Sequence, residues 1–283
     1  MDRRKIEEKI FLFLMRISAI LIVLSLILIL FTIIAKGLPS LNLAMITQTP
    51  KGGYYLGKEG GILNAIMGSL FLAGGATILS MLISLPVVIY LNIYAKKNSK
   101  LSEFIRFSFD VLWGIPSIVY GAFGFTIMLF FNLRASLLAG IIVVALLILP
   151  IMSRTIDEVM RMVPAGLIET SYALGATKLE TAFKVVIKQT LPGIITAILI
   201  ALGRGIGDAA SVLFTAGFSD YIPNSLLKPA ATLPLAIFFQ LLTPIPEVQE
   251  RAYASAFILT AIILIISIVS RIITNRFSKN LIK

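Results

Sequence analysis

Long apolar segments separated by short polar stretches dominate the pattern of the chain. Each of six segments is long enough to cross a membrane, for which about 18 to 20 predominantly apolar residues suffice. They lie at 10–35, 61–94, 111–131, 136–156, 191–217 and 253–273. The pattern predicts an all-α integral membrane protein with six transmembrane helices, built as a single domain over 1–283.

The composition supports this class of protein and excludes most enzymes. Hydrophobic residues make up 58% of the chain and charged residues 14%, whereas soluble domains have roughly 45–50% and 25%. Cysteine and histidine are absent. This excludes disulfides, thiol nucleophiles, Ser-His triads and the commonest zinc sites. We therefore predict a membrane protein without catalytic activity, metal or cofactor of its own.

The chain carries a formal net charge of +11, and the basic residues lie in short segments beside the apolar ones. When the six spans alternate in direction, 18 of the 25 Lys and Arg fall on the side of both termini. Six fall on the opposite side, and Arg204, well inside the fifth span, is assigned to neither side. The positive-inside rule predicts that both termini are cytoplasmic in a cell membrane. The charge therefore indicates topology and contact with lipid, and not nucleic-acid binding.

Two segments depart from simple spans. Pro116 and nearby glycines predict a third span that bends. Beyond the fifth span, 218–251 contains five prolines around a ten-residue apolar stretch at 233–242. That stretch is too short to cross a membrane, so it predicts a re-entrant helix or a helix on the external surface.

The 164–190 loop carries helical signals although it connects two spans on the predicted cytoplasmic side. Pro164 suits a first helical turn, and Gly175 predicts a bend. We expect two short helices joined at Gly175. An amphipathic helix lying on the lipid surface is the alternative.

Two charged residues in the fifth span are candidates for contact with a substrate. Arg204 and Asp208 are four residues apart, which places them on one helix face. Charges at membrane depth are costly, so they are functional candidates by default. In one interpretation Arg204 offers its planar donors to an oxyanion while Asp208 orients it. In the other, the two residues only neutralise each other and hold the helix in place.

Arg154, at the cytoplasmic end of the fourth span, is a weaker candidate. Helical spacing allows it to pair with Glu158, and it allows Asp157 to pair with Arg161. Arginines at span ends commonly extend to the interface, which is the simpler explanation.

The string ETSYALGATKLETAFKVVIKQTLPG resembles the EAA loop in the membrane subunits of binding-protein-dependent ABC importers. That loop has Glu-Ala-Ala, three residues, Gly, nine residues, and an apolar stretch closed by Pro. Glu169 and Gly175 match its acidic residue and its glycine. Thr170 and Ser171 replace the two alanines, and Lys188 stands at the proline position.

Four further strings resemble the phosphate permeases of the PstA type within that family. They are GGILNAIMGSL, WGIPSIVYG, SRTIDEVMRMVP and GRGIGDAASVLFTAG. The last string has Asp208 where the phosphate branch usually has Glu. The resemblance implies that Arg204 and Arg154 lie on a phosphate path and that Asp208 orients Arg204.

The resemblance also implies a fold and a set of partners. The fold is that of a type I ABC importer permease, with a cytoplasmic coupling helix inside the 164–190 loop. The partners are a second related permease, two copies of an ATPase that binds ATP, an external phosphate-binding protein and inorganic phosphate. Glu169, Gly175, Ala176 and Thr177 are then the residues expected to couple the permease to the ATPase.

Two other functions remain open at this stage. One is a permease for another oxyanion, such as molybdate or sulfate. The other is a secondary transporter or channel that works alone, although such a protein has no need of the organised 164–190 loop. A membrane enzyme is disfavoured because no paired acids, histidine or nucleophile lie together at an interface.

Overall fold

The computed structural model describes residues 3–51, 59–96 and 99–278. The helices are α1 Arg3–Gly37, α2 Leu43–Thr47, α3 Leu63–Ile89, α4 Lys100–Trp113, α5 Ser117–Phe130, α6 Leu137–Arg161, α7 Ala165–Ala173, α8 Lys178–Glu180, α9 Ile187–Ile206, α10 Leu233–Leu241 and α11 Pro246–Ser278. Two π-helical segments, Tyr90–Tyr94 and Thr181–Val186, extend α3 and join α8 to α9. Strands β1 Pro50–Lys51 and β2 Glu59–Gly60 pair antiparallel.

Among the described residues, five continuous helical stretches are long and apolar enough to cross a membrane. The third predicted span, 111–131, is not one helix, because α4 and α5 meet at an angle of 100°. Pro116 causes the break, since it lacks an N–H and disfavours a helical conformation for the residue before it. The prediction of six spans is confirmed when α4 and α5 together count as one.

The core lies where α3, α6 and α9 pack side by side. From α6, Val144, Ile148 and Met152 are buried, and from α9 the small residues Ala197 and Ala201 are buried. Small residues let helices approach closely, which matters in a membrane because dispersion contacts drive helix association there. In contrast, α1 packs along α11 and leaves its apolar side chains exposed.

The predicted boundaries of the fifth span, 191–217, are wrong at both ends. The helical stretch begins thirteen residues earlier and runs over Lys178–Ile206. It ends at Ile206 because three closely spaced glycines weaken the helix there. The Asp208 side chain then accepts a hydrogen bond from the Ser211 N–H at 2.8 Å, which stabilises a turn in place of the helix.

The segment 207–217, after α9, is largely buried although it is not helical. The Ser136 N–H donates to the Thr215 carbonyl at 2.9 Å, and the Ala230 N–H donates to the Ala216 carbonyl at 3.0 Å. These hydrogen bonds fix the segment against the start of α6.

The helix predicted at 233–242 is confirmed as α10. It packs against α3 and α11, and the buried Ser69 hydroxyl accepts a hydrogen bond from the Leu233 N–H at 2.8 Å. Leu233, Leu235 and Ala236 are buried. This burial favours the re-entrant alternative over a helix on the external surface.

Candidate functional site

Arg204 and Asp208 form an ion pair at the end of α9. Nη1 of Arg204 lies 3.5 Å from Oδ1 of Asp208, and the two side chains are 46% and 4% exposed. The predicted pair is therefore confirmed. The prediction that both residues share a helix face is wrong, because α9 ends at Ile206 and Asp208 lies beyond it.

The protein holds Asp208 from its buried side and leaves Arg204 facing outward. Oδ2 of Asp208 accepts the hydrogen bond from the Ser211 N–H, so both carboxylate oxygens have partners. A Cβ placed on Gly203, next to Arg204 in sequence, would meet no atom within 4 Å. The guanidinium group has five N–H donors, and among the described residues its partner is Asp208 alone. Arg204 therefore keeps donors available for a ligand.

Arg154 is more fully neutralised than Arg204. Its Nε lies 3.1 Å from Oε1 of Glu158, as the helical spacing predicts, and its Nη1 lies 3.6 Å from Oδ1 of Asp110 on α4. Its side chain is only 27% exposed. The sequence could not predict the contact with Asp110, because that residue lies on a separate helix.

The two candidate arginines are attached at different levels of the helix bundle. A Cβ on Gly205 would contact Val144 and Ile148, so Arg204 lies at that level of α6. Arg154 is six residues beyond Ile148, which is about 9 Å along a helix axis. The structure thus places the backbones of the two arginines at different depths of the bundle.

A buried cluster around Asp157 was largely missed from the sequence. The Asp157 side chain is 1% exposed and accepts hydrogen bonds from Arg106 at 2.9 and 3.1 Å. It also accepts one from Asn92 at 2.7 Å and pairs with Arg161 at 3.3 Å. Only the pair with Arg161 was predicted, and it is confirmed. This Asp157 cluster fastens α4 and the end of α3 to α6.

The 164–190 loop bends at Gly175, as predicted. Helix α7 ends at Ala173, and Gly175 takes a φ of +82°, a left-handed conformation that glycine adopts without steric cost. The second helix is not short, however. It starts at Lys178 and continues through the π-helical segment into α9. A movement of the bend can therefore pass directly into a transmembrane helix.

Thr177 starts that second helix with a capping box. Its hydroxyl accepts from the Glu180 N–H at 3.2 Å, and its own N–H donates to Oε2 of Glu180 at 3.0 Å. The buried hydroxyls of Ser171 and Thr181 lie 2.9 Å apart and connect α7 to the helix after it. These contacts fix the angle of the bend.

Exposed apolar side chains flank the bend on both sides in sequence. Leu174 is 83% exposed, Leu179 58% and Phe183 53%. Glu169, Gly175 and Thr177 are also exposed, and Ala176 is partly buried. Thr170, Gly175 and Ala176 line a neighbouring cleft of about 440 Å³. Exposed apolar clusters of this kind mark surfaces that bind another protein or a membrane.

Comparison with known proteins gives consistent matches over the chain. Residues 85–283 match the family described as binding-protein-dependent transport system inner membrane component. The phosphate transport system permease protein PstA of Yersinia pestis is 36% identical over 245 residues, which cover 87% of this chain and 82% of the relative. The Haemophilus influenzae PstA is 33% identical over 270 residues, covering 95% and 94%. The probable PstA of Methanocaldococcus jannaschii is 34% identical over 269 residues, covering 93% and 92%.

Solved structures of ABC importers share the fold. A chain of the inward-facing MetNI methionine ABC transporter has a TM-score of 0.64 at 19% identity, covering 76% of this chain and 95% of its own. A bacterial ABC transporter that imports the acidic polysaccharide alginate gives 0.58 at 14% identity, covering 96% and 98%. The predicted all-α fold of a type I importer permease is confirmed. The chain belongs to the family of binding-protein-dependent transport system inner membrane components.

Proposed function

We propose that the chain is a permease subunit of an ATP-driven phosphate importer and forms half of the translocation pathway. The observation that carries this proposal is the half-exposed guanidinium group of Arg204, anchored by a buried carboxylate. The names of the PstA relatives support phosphate as the substrate.

The geometry of Arg204 suits the passage of an oxyanion. A guanidinium group offers parallel N–H donors that match two oxygens of a phosphate. A transported ion must bind well enough to enter and weakly enough to leave. Asp208 lies 3.5 Å from the guanidinium group and offsets part of its charge, so the pair attracts an anion without trapping it.

Arg154 acts as a second, weaker cation along the same path. Its charge is shared with Asp110 and Glu158, which lie 3.6 and 3.1 Å away. Arg154 lies nearer than Arg204 to the predicted cytoplasmic end of the bundle, so imported phosphate meets Arg204 first and Arg154 second.

The 164–190 loop is the surface that binds the ATPase. The ATPase dimer binds and hydrolyses ATP, so this chain needs no cofactor. Its exposed apolar side chains fit a groove on a partner protein, and Glu169 of α7 adds an exposed charge to the loop. Because the loop continues into α9, closure of the ATPase dimer moves the helix that carries Arg204.

Two further partners complete the transporter. A second related permease supplies the other half of the pathway, and an external binding protein delivers phosphate to the outward-facing state. Both termini lie in the cytoplasm in this arrangement, as the distribution of basic residues predicts.

Uptake of labelled phosphate tests the proposal. Cells that lack their own high-affinity system receive the complete transporter with the wild-type chain or with Arg204→Ala. We expect ATP-dependent uptake that excess unlabelled phosphate suppresses and molybdate and sulfate do not, with loss of uptake in the variant at equal membrane expression. Uptake suppressed by molybdate or sulfate would identify another oxyanion permease. Uptake without any ATPase subunit would instead support a secondary transporter.

A further inference from the structure

An apolar groove lies between α5 and α6, at the end where α6 begins. Its volume is about 280 Å³, and Phe123 and Ile127 of α5 form one wall. Leu138, Ile142 and Leu146 of α6 form the other. These three residues extend over about 12 Å of helix axis. The groove is therefore an elongated apolar slot, shaped for part of an acyl chain.

The mouth of the groove is polar and positively charged. Asn132 and Arg134 line it, and Asn132 has a φ of 52°, in the left-handed region that Asn tolerates better than most residues. Arg134 is exposed, and it has no ion-pair or hydrogen-bond partner among the residues that the structure describes. The Leu137 N–H donates to the Lys228 carbonyl at 2.8 Å, which brings a second basic residue to this end of α6.

We infer that this groove binds an anionic phospholipid, with one acyl chain between α5 and α6 and the phosphate of the headgroup on Arg134. The Asn132 side chain offers a further donor for that phosphate. The apolar walls argue for a lipid over a free phosphate ion, since an inorganic anion gains nothing from apolar walls and loses hydration beside them. The site uses none of the residues proposed for phosphate passage, so it stands independently of the transported substrate.

Photo-crosslinking tests this inference on the full-length chain together with the subunits that copurify with it. The complex is placed in phosphatidylcholine nanodiscs that contain phosphatidylglycerol with a photoactivatable acyl chain. We expect labelled peptides within 123–146. Unlabelled phosphatidylglycerol should suppress the labelling about fivefold more effectively than phosphatidylcholine, as the attraction of one surface cation for an anionic lipid predicts.

Three variants separate the headgroup contact from the acyl-chain contact. Arg134→Gln should remove the preference for phosphatidylglycerol. Ala139→Trp should fill the slot, since Ala139 lines it, and abolish labelling of 123–146. Lys51→Gln is the matched control, because Lys51 is an exposed cation predicted on the same side of the membrane but outside the groove. It should leave the labelling unchanged.

Four outcomes would overturn the inference. They are equal competition by the two lipids in the wild type, an unchanged preference in Arg134→Gln, displacement of the lipid by inorganic phosphate, and absence of label in 123–146 because another subunit covers the groove. If Ala139→Trp does not fold, Arg134→Gln and Lys51→Gln still decide the headgroup contact.

Discussion

Two buried aspartates, Asp208 after α9 and Asp157 on α6, bind arginine in different ways. Asp157 is contacted by side chains from three elements, including two guanidinium groups at 2.9 and 3.3 Å. Asp208 has one arginine at 3.5 Å and one backbone N–H. Both carboxylates are buried, but Asp157 is shared by two arginines whereas Asp208 pairs with Arg204 alone among the described residues.

The difference separates a structural cluster from the ion pair that we propose meets the substrate. The charges of the Asp157 cluster join helices, and each carboxylate oxygen of Asp157 contacts two side chains. The Arg204–Asp208 pair instead exposes a cation that its neighbours do not neutralise fully. Ion pairs with the same sequence spacing therefore differ in how many other groups contact the carboxylate.

The largest effect is expected for Asp157→Asn, a substitution at the aspartate of the structural cluster. Asp157→Asn leaves Arg106 and Arg161 without their carboxylate, and breaking a buried ion pair costs about 3–5 kcal/mol. We expect most of the protein to be lost from the folded fraction, as measured by size-exclusion chromatography of detergent extracts. A wild-type yield and thermal midpoint would show that the cluster does not hold the helices together.

The next largest effect is expected at Gly175, where a substitution tests whether the 164–190 loop contacts the ATPase. Gly175→Trp places a bulky side chain at a φ of +82° on an exposed surface. It should abolish phosphate-stimulated ATP hydrolysis or assembly with the ATPase. Gly175→Asn is the control, because Asn tolerates this conformation, and it should retain most of the activity. Full coupling in the Trp variant would exclude this surface as the ATPase contact.

Asp208→Asn should produce a smaller effect than Asp157→Asn and of a different kind. The Asn carbonyl can still accept from the Ser211 N–H, so we expect near-normal folding. Loss of the ion pair leaves Arg204 less well oriented, and uptake should fall about fivefold, corresponding to the roughly 1 kcal/mol of such a contact. Equal losses of folded protein in the two Asn variants would contradict the distinction between the sites.

The smallest effect is expected for Arg154→Gln. Glu158 and Asp110 already share the charge of this residue. We predict that uptake falls by less than about threefold, within the small free energies typical of partly exposed ion pairs. A loss as large as that of Arg204→Ala, at equal expression, would place Arg154 at the centre of the pathway.

The sequence predicted the features that depend on local pattern. The lengths of the apolar segments predicted the membrane spans. A spacing of four residues predicted the contacts of Arg204 with Asp208, Arg154 with Glu158 and Asp157 with Arg161. The bend at Gly175 was also predicted, because a glycine within a helical pattern is a local signal.

Features that depend on contacts distant in sequence could not be predicted. Arg106 and Asn92 are 51 and 65 residues from Asp157, so no periodicity connects them. The end of α9 was misplaced because the apolar run continues past Ile206. Several apolar residues after Ile206 are buried, but the turn at Asp208 takes the place of the helix. The 100° angle at Pro116 was expected only as a bend.

One paired measurement tests the central claim most directly. Arg204 and Arg161 each pair with a buried aspartate four residues away, at 3.5 and 3.3 Å, with 46% and 51% of the arginine side chain exposed. Phosphate uptake is measured for Arg204→Gln and Arg161→Gln in the complete transporter at equal amounts of folded complex. The account predicts that uptake falls more than about tenfold in Arg204→Gln and stays near wild type in Arg161→Gln. Equal uptake in the two variants would contradict it.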